Sequence, residues 1–234
     1  MRRQQAFQKW PLLSLLQLTR PKGWKAWLRG RPEEVRTGGA DTVRDSGDAL
    51  GVSEKDLLLE LAREALEHLA EPEAIPGSVA KVTSRLKEKR ACFITLTRKG
   101  ELRGCIGQVF AKAPLYQAVI DNARGAARRD PRFAPVEAGE VAELNIEISV
   151  LTEPQRVNFA SADDLLSKLQ PFHDGVVLQL GSDLATFLPQ VWSQVPNKSE
   201  FLGRLAQKAG YPPTAWQDKD AVVSTYRVES FDEN

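Results

Sequence analysis

Residues 91–109, ACFITLTRKGELRGCIGQV, form the stretch on which the predicted fold rests. The residues up to Thr97 are mostly apolar or β-branched, a turn follows at Lys99 and Gly100, and a second run ends at Val109. Two such runs joined by a glycine-containing turn predict a β-hairpin.

The second strand of this hairpin contains two glycines. Its side chains alternate between two faces: Arg103, Cys105 and Gly107 on one, and Leu102, Gly104 and Ile106 on the other. Glycine weakens a strand and marks a bulge or a place where something approaches the backbone closely. We therefore expect another group to come close to this strand.

The hairpin is flanked by helical patterns. Apolar residues recur at helical spacing from Leu57 to Leu69, and Ser53 is the predicted N-cap. A second helix is predicted behind Pro114 and ends in the arginine-rich loop RRDPRFAPV, residues 128–136.

Further strands and helices follow in irregular order. Residues 143–152 alternate as a half-buried strand, with Glu147 facing away from the apolar core. The remaining predicted elements are helices at 161–169 and 198–210 and strands at 175–180, 184–189 and 221–231. This mixture without regular βαβ alternation predicts an α+β fold, with a mixed, largely antiparallel sheet flanked by helices.

Composition restricts the classes of function. The chain has 234 residues, 42% of them hydrophobic, and a net charge of +1, so no overall charge attracts it to nucleic acid or a membrane. The sequence also argues against nucleic acid as a partner, because no aromatic RNA-binding motif or zinc finger is evident. Two cysteines and two histidines are too few for a zinc ribbon or a disulfide framework. We expect no metal, no cofactor and a cytoplasmic location.

Residues 1–50 differ from the rest in composition. They are basic and contain Trp10, Trp24 and Trp27, while the linker at 36–51 is rich in turn formers. The apolar run WPLLSLLQL is too short for a transmembrane span and lacks a signal-peptide cleavage site. We expect a disordered extension or an upstream start codon wrongly chosen; the alternative is an anchor on anionic lipid.

Five separated motifs point to a known family. LRGCIG, NARGAARRDPRFAPV, LNIEISVLT, TFLPQVW and YRVESF occur in this order. Residues 53–231 thereby resemble the AMMECR family, whose bacterial members are called AmmeMemoRadiSam system protein A. The resemblance implies a larger and a smaller lobe packed as one unit, with the LRGCIG strand at their cleft. It also implies association with a radical SAM protein and a Memo-like protein.

One hypothesis makes Cys105 a nucleophile. Arg103 shares its strand face and would lower the pKa of the thiol, His173 would act as the base, and Glu147 would orient it. The alternative is that Cys105 fills a small space in the core. Some family members have a histidine where this chain has Asp174, so Asp174 is the alternative residue at the cleft.

A second hypothesis is binding of an anion. Four arginines lie around one helix end: Arg124, Arg128, Arg129 and Arg132. With Arg103 they would line a cationic cleft. The alternative is that they solvate a surface loop. Gly104 and Gly107, beside Ile106, would let a ligand approach the strand, and Asp174 and Arg132 would add contacts.

The predicted function is therefore a cleft at the LRGCIG strand that binds a small anionic ligand. The alternatives are a cysteine-dependent enzyme using Cys105 and a non-catalytic protein-interaction module. The sequence does not decide whether the protein is an enzyme.

Overall fold

A computed structural model describes residues 49–71 and 73–233. The extension and linker predicted at 1–50 lie outside this part of the chain, apart from Ala49 and Leu50. None of the helices in the described part is long and apolar enough to cross a membrane.

Four α-helices and eight strands, with short 3-10 helices between them, make up the described fold. The helices are α1 (Val52–Glu67), α2 (Leu115–Arg128), α3 (Ala162–Lys168) and α4 (Lys198–Ala209). The strands are β1 (Ala91–Arg98), β2 (Glu101–Gly107), β3 (Leu144–Leu151), β4 (Gln155–Arg156), β5 (Gly175–Leu180), β6 (Asp183–Phe187), β7 (Val222–Tyr226) and β8 (Val228–Asp232).

The strands form two antiparallel sheets. The first has the order β2-β1-β3-β8 and the second the order β4-β7-β5-β6. The α+β class is confirmed, but the strands divide between two sheets where the sequence predicted one. Each sheet buries one face against its own helices, which gives two lobes.

The larger lobe contains the first sheet with α1 and α2. Apolar residues that recur at helical spacing on both helices pack on the face of the sheet that carries Ile94 and Ile148. The smaller lobe places α3 and α4 against the second sheet, where Trp192 stacks on Phe201 with ring centroids 3.6 Å apart.

A third apolar cluster joins the lobes. It contains Phe93 and Cys105 from the first sheet and Val177, Leu184 and Tyr226 from the second. The two lobes therefore pack as one unit and the LRGCIG strand lies at their junction, as the family resemblance implied.

Two connections carry the chain between the sheets, and they lie side by side. The run 221–231, predicted as one strand, divides at Arg227: β7 belongs to the second sheet and β8 to the first. Thr152 N donates to Arg227 O (3.0 Å), and Arg227 N donates to Thr152 Oγ1 (2.9 Å). At this point neither connection is paired within a sheet, and these hydrogen bonds supply partners for its backbone groups.

A β-bulge changes the predicted faces of β2. Leu96 pairs with Gly104 but Thr97 pairs with Leu102, so Arg103 is the extra residue. The prediction that Leu102 shares a face with Gly104 is therefore wrong, because the bulge turns Leu102 toward the junction with Cys105.

The start of α1 also differs from the prediction. The N-cap is Gly51, whose N–H donates to the Glu54 carboxylate (3.0 Å), so the predicted cap Ser53 lies inside the helix. The Glu54 carboxylate satisfies the N–H of the N-cap residue itself, and its charge complements the positive end of the helix dipole.

Candidate functional site

Cys105 lies on the face of β2 that meets the smaller lobe. It is 5% exposed and is paired with Thr95, whose Oγ1 donates to the Cys105 Sγ at 3.4 Å. Thr95 is paired on its other side with Glu147. Directly opposed residues of antiparallel strands share a face, so these three side chains form one row across three strands.

The loop after α2 covers the outer edge of β2. Cys105 N donates to Asp130 Oδ2 (2.8 Å), and Arg132 binds the same carboxylate through Nη2 (2.6 Å) and Nε (2.8 Å). Arg132 Nη2 also donates to Cys105 O, at 3.5 Å. An edge strand has unpaired backbone groups, and this buried ion pair supplies partners for those of Cys105.

Lys208 reaches the same place from the smaller lobe. It lies in the last turn of α4, is half-buried, and donates from Nζ to Thr186 O at 2.9 Å. Its ammonium also lies 5.1 Å from the centroid of the Phe187 ring, and it interacts electrostatically with Cys105 and Arg132. Lys208 of the smaller lobe therefore lies within the range of charge interaction of Cys105 and Arg132 in the larger lobe.

The environment changes the protonation of these groups. Burial raises the pKa of the Cys105 thiol, although the Thr95 hydrogen bond and the Arg132 charge act in the opposite direction. Burial is the main cause that lowers the pKa of Lys208 to about 7; Cys105 acts in the opposite direction, and the charge of Arg132 adds to the lowering. Burial also disfavours the charged form of Asp130, but the hydrogen bonds from Arg132 and Cys105 N outweigh it and lower its pKa. At neutral pH the site thus holds a neutral thiol, a guanidinium–carboxylate pair and an amine that is partly deprotonated.

Lys208 was not among the site residues predicted from the sequence. A lysine in the last turn of a helix is ordinarily explained by the helix dipole. Its sequence, KSEFLGRLAQKAG, contains no motif that would mark it, and only the packing of α4 on the second sheet brings it to Cys105.

Glu147 belongs to the row but does not touch Cys105, because Thr95 stands between them. Its carboxylate accepts from Ser149 Oγ (3.4 Å), and burial, with the nearby charge of Asp232, raises its pKa.

His173 and Asp174 lie elsewhere on the junction. His173 is exposed and lines a groove of about 330 Å³ whose other lining residues are Phe172, Pro189, Gln190, Ser193, Arg227, Val228 and Ser230. Phe172, at φ 66° and 60% exposed, borders this groove. Among the described residues, neither His173 nor Asp174 is a hydrogen-bond or electrostatic partner of Cys105. The structure therefore does not bring together the predicted set of Cys105, His173 and Glu147.

Asp174 is a buried structural acceptor. Its carboxylate accepts from Gln170 N (2.6 Å) and lies 3.3 Å from the Arg227 guanidinium, while its backbone carbonyl accepts from Trp192 Nε1 (2.7 Å). Burial raises the pKa of this carboxyl despite the nearby arginine. These contacts fix the turn before β5.

Arg103 binds protein groups on the far side of the hairpin. Its guanidinium forms two hydrogen bonds to the Glu140 carboxylate (3.2 and 2.9 Å) and donates to the carbonyls of Ala134 (2.8 Å) and Pro135 (3.3 Å). The Arg103 hydrogen bond is the main cause that lowers the pKa of Glu140 to about 2. Arg103 thus ties β2 to the segment that leads into β3.

At both glycines of LRGCIG, the protein's own atoms leave no room for a side chain. A Cβ at Gly104 would lie 2.2 Å from Ala126 O in α2, and one at Gly107 would lie 2.3 Å from the Phe93 ring. Ile106 points to the helix side and packs against the core of the larger lobe.

The arginine cluster disperses over the surface of α2. Arg124 donates to the carbonyl of Ala74, Arg129 donates to the carbonyl of Asp121 (3.2 Å), and Arg128 is exposed. Of the four arginines around this helix end, Arg132 is the one that contacts Cys105.

Comparison with known proteins agrees with this architecture. The family described as AMMECR1 matches residues 59–231. Protein Mbar_A1807 of Methanosarcina barkeri is 37% identical over 75% of this chain and 88% of its own length, and protein MK0488 of Methanopyrus kandleri is 34% identical over 80% and 92%. The crystal structure of uncharacterized protein PH0010 from Pyrococcus horikoshii covers 78% of this chain and 92% of its own, with 34% identity and a TM-score of 0.71.

These relatives are archaeal, so the bacterial origin expected from the resemblance finds no support in them. The motifs, the two-lobed fold and the extent of the match agree, and the chain belongs to the AMMECR1 family.

Proposed function

We propose that the junction binds a small anionic group, a carboxylate or a phosphate, between Arg132 and Lys208 and beside Cys105. The observation that carries this proposal is that Arg132 contacts Cys105 in the larger lobe, and that Lys208 of the smaller lobe interacts electrostatically with both of them. A ligand held by both would contact the larger lobe through Arg132 and the smaller lobe through Lys208.

The electrostatics of the site favour an anion. Asp130 neutralises Arg132, while the ammonium of Lys208 adds a further positive charge close to both Arg132 and Cys105. Like charges repel strongly where little water is present, so an anion placed between them stabilises the charged form of Lys208. Binding at neutral pH should therefore be accompanied by uptake of a proton.

Titration calorimetry with inorganic phosphate and with acetate tests the proposal. We expect at least one of these anions to bind to the wild-type protein and Lys208→Met to weaken that binding at least about tenfold, which corresponds to roughly 1.4 kcal/mol. Lys219→Met is the matched control, because Lys219 is exposed. Repeating the titration in buffers of different ionisation enthalpy measures the proton uptake.

Two outcomes would contradict the proposal. One is that neither anion binds to the wild-type protein. The other is that Lys208→Met binds phosphate and acetate as tightly as the control variant, which would place the anion elsewhere.

The reactive-cysteine alternative has weaker support. Thr95 and Arg132 favour a Cys105 thiolate, but burial outweighs them and keeps the thiol neutral. A partnership with a radical SAM protein and a Memo-like protein is proposed on the family resemblance alone. A cytoplasmic location is proposed because Cys92 and Cys105 are both free thiols.

A further inference from the structure

The groove beside His173 is formed by both lobes. Val228 and Ser230 come from β8 of the larger lobe, whereas the turn before β5 and residues 189–193 come from the smaller lobe. Its volume of about 330 Å³ is at the small end of the range for ligand pockets, about 300–1,000 Å³. None of its lining residues belongs to the anion site proposed near Cys105. The groove is therefore a separate place where a small molecule would contact both lobes.

Phe172 is held in an unfavourable backbone conformation at the rim of this groove. Its φ of 66° lies in the left-handed region, which bulky side chains rarely adopt. The turn around it is fixed, because His173 N and Asp174 N both donate to Gln170 O (3.2 and 2.9 Å). Since the Phe172 ring is 60% exposed, burial within the protein does not account for its position. Backbone strain of this kind is concentrated at binding sites and active sites.

Arg227 places a guanidinium at the same groove. Its Nη2 donates to Gln170 Oε1 (2.9 Å) and lies 3.3 Å from Asp174 Oδ1. Within the part of the chain that the structure describes, Arg227 Nε and Nη1 have no hydrogen-bond partner. The side chain is 42% exposed. The guanidinium therefore keeps both donors and accessible surface for a ligand carboxylate.

The lining of the groove combines an apolar part with a polar part. Phe172, Pro189 and Val228 supply the apolar surface. Beside Arg227, the exposed imidazole of His173 also has no side-chain hydrogen bond to the described residues. A ligand that matches this lining has a flat apolar ring and one anionic group.

We infer that this groove binds a small aromatic carboxylate, with its ring against Phe172 and its carboxylate on Arg227. Two aromatic rings attract each other beyond the burial of their apolar surface, and a charge-assisted hydrogen bond from arginine orients a carboxylate. The strained turn holds the Phe172 ring in place before the ligand arrives, which reduces the entropy lost on binding.

Titration calorimetry with benzoate, indole-3-acetate and 2-naphthoate tests the inference. We expect at least one of these three carboxylates to bind saturably to the wild-type protein. Indole, which has a ring but no carboxylate, and acetate, which has no ring, should each bind to the groove at least about tenfold more weakly than the best of the three.

Substitution of Phe172 separates ligand binding from folding. Phe172→Gly should weaken binding at least about tenfold but should not lower Tm, because glycine adopts a positive φ without strain. Phe172→Tyr keeps the ring and should bind like the wild-type protein. Lys99→Gly is the matched control, because Lys99 also has a positive φ (54°) but does not line the groove. It should leave binding unchanged.

Substitution of Arg227 tests the carboxylate contact. Arg227→Gln keeps a donor but removes the positive charge, and it should weaken binding at least about tenfold. Arg156→Gln is the matched control, because Arg156 is exposed on β4 and does not line the groove.

The inference is overturned if none of the three carboxylates binds to the wild-type protein, or if Phe172→Gly binds them as tightly as Lys99→Gly. If Lys208→Met weakens their binding but Phe172→Gly and Arg227→Gln do not, the carboxylates occupy the anion site near Cys105. The proposed function then stands and the groove proposal is wrong.

Discussion

Substitution of Gly104 by alanine tests why the LRGCIG strand contains glycine. The added Cβ would lie 2.2 Å from Ala126 O and 3.0 Å from Ala126 C, both backbone atoms of α2. Ordinary contact begins at 3.4 Å, so strand and helix would have to separate by roughly 1 Å. No flexible side chain can absorb this displacement. We therefore expect a loss at the upper end of the overpacking range, about 3 kcal/mol in the free energy of unfolding.

Thermal unfolding followed by circular dichroism measures this loss. A destabilisation of that size corresponds to a fall in Tm of about 6–12 °C for a protein of this length. Gly139→Ala is the matched control, because nothing lies within 4 Å of its added Cβ and it should leave Tm nearly unchanged. If Gly104→Ala unfolds like the wild-type protein but no longer binds phosphate, the space at Gly104 serves a ligand and the packing argument is refuted.

Further predictions concern Asp130, the two cysteines and Arg103. Asp130→Asn should lower the free energy of unfolding by about 3–5 kcal/mol, because it leaves the buried Arg132 without its counter-charge. Urea-induced unfolding at pH 7 measures this loss, and an unchanged midpoint concentration of urea would contradict the prediction. Since the pKa of Asp130 is lowered on folding, its contribution is present above the ordinary pKa of aspartate and should be lost as the pH falls through the folded value. Cys105 in the native protein should react slowly with iodoacetamide at pH 7, since burial raises the pKa of its thiol. Cys92, with a pKa of about 12, should react more slowly still. Rapid labelling of Cys105 would support the nucleophile hypothesis. Arg103→Met should lower Tm but leave the affinity for phosphate unchanged, because Arg103 binds Glu140 and two backbone carbonyls. Loss of phosphate binding with an unchanged Tm would instead show that Arg103 is a ligand-binding residue.

Local pattern was sufficient to predict most elements. The sequence predicted the hairpin around Gly100, the helix behind Pro114 and the helix that ends at Gly210. The signals for a turn, for the start of a helix and for its end each act over a few residues. The sequence did not predict the division of the last strand at Arg227, since residues typical of strands occur on both sides of it and only the partner strands differ.

The candidate site could be predicted only in part. The family resemblance implied that the strand of Cys105 lies between the lobes, and Cys105 does belong to the apolar cluster that joins them. Its partners come from distant positions, Asp130 and Arg132 from one loop and Lys208 from another lobe. His173 was chosen because the chain has few histidines, and scarcity of a residue type carries no information about distance in the fold.

The paired crossings at Thr152 and Arg227 have a consequence for the order in which the protein is assembled. The chain leaves the first sheet at Thr152 and returns to it at Arg227, so the whole smaller lobe is inserted between β3 and β8. During synthesis the smaller lobe is complete up to Tyr226 while the first sheet still lacks its edge strand. A growing chain can therefore close the inserted lobe before β8 docks on β3 and completes the first sheet.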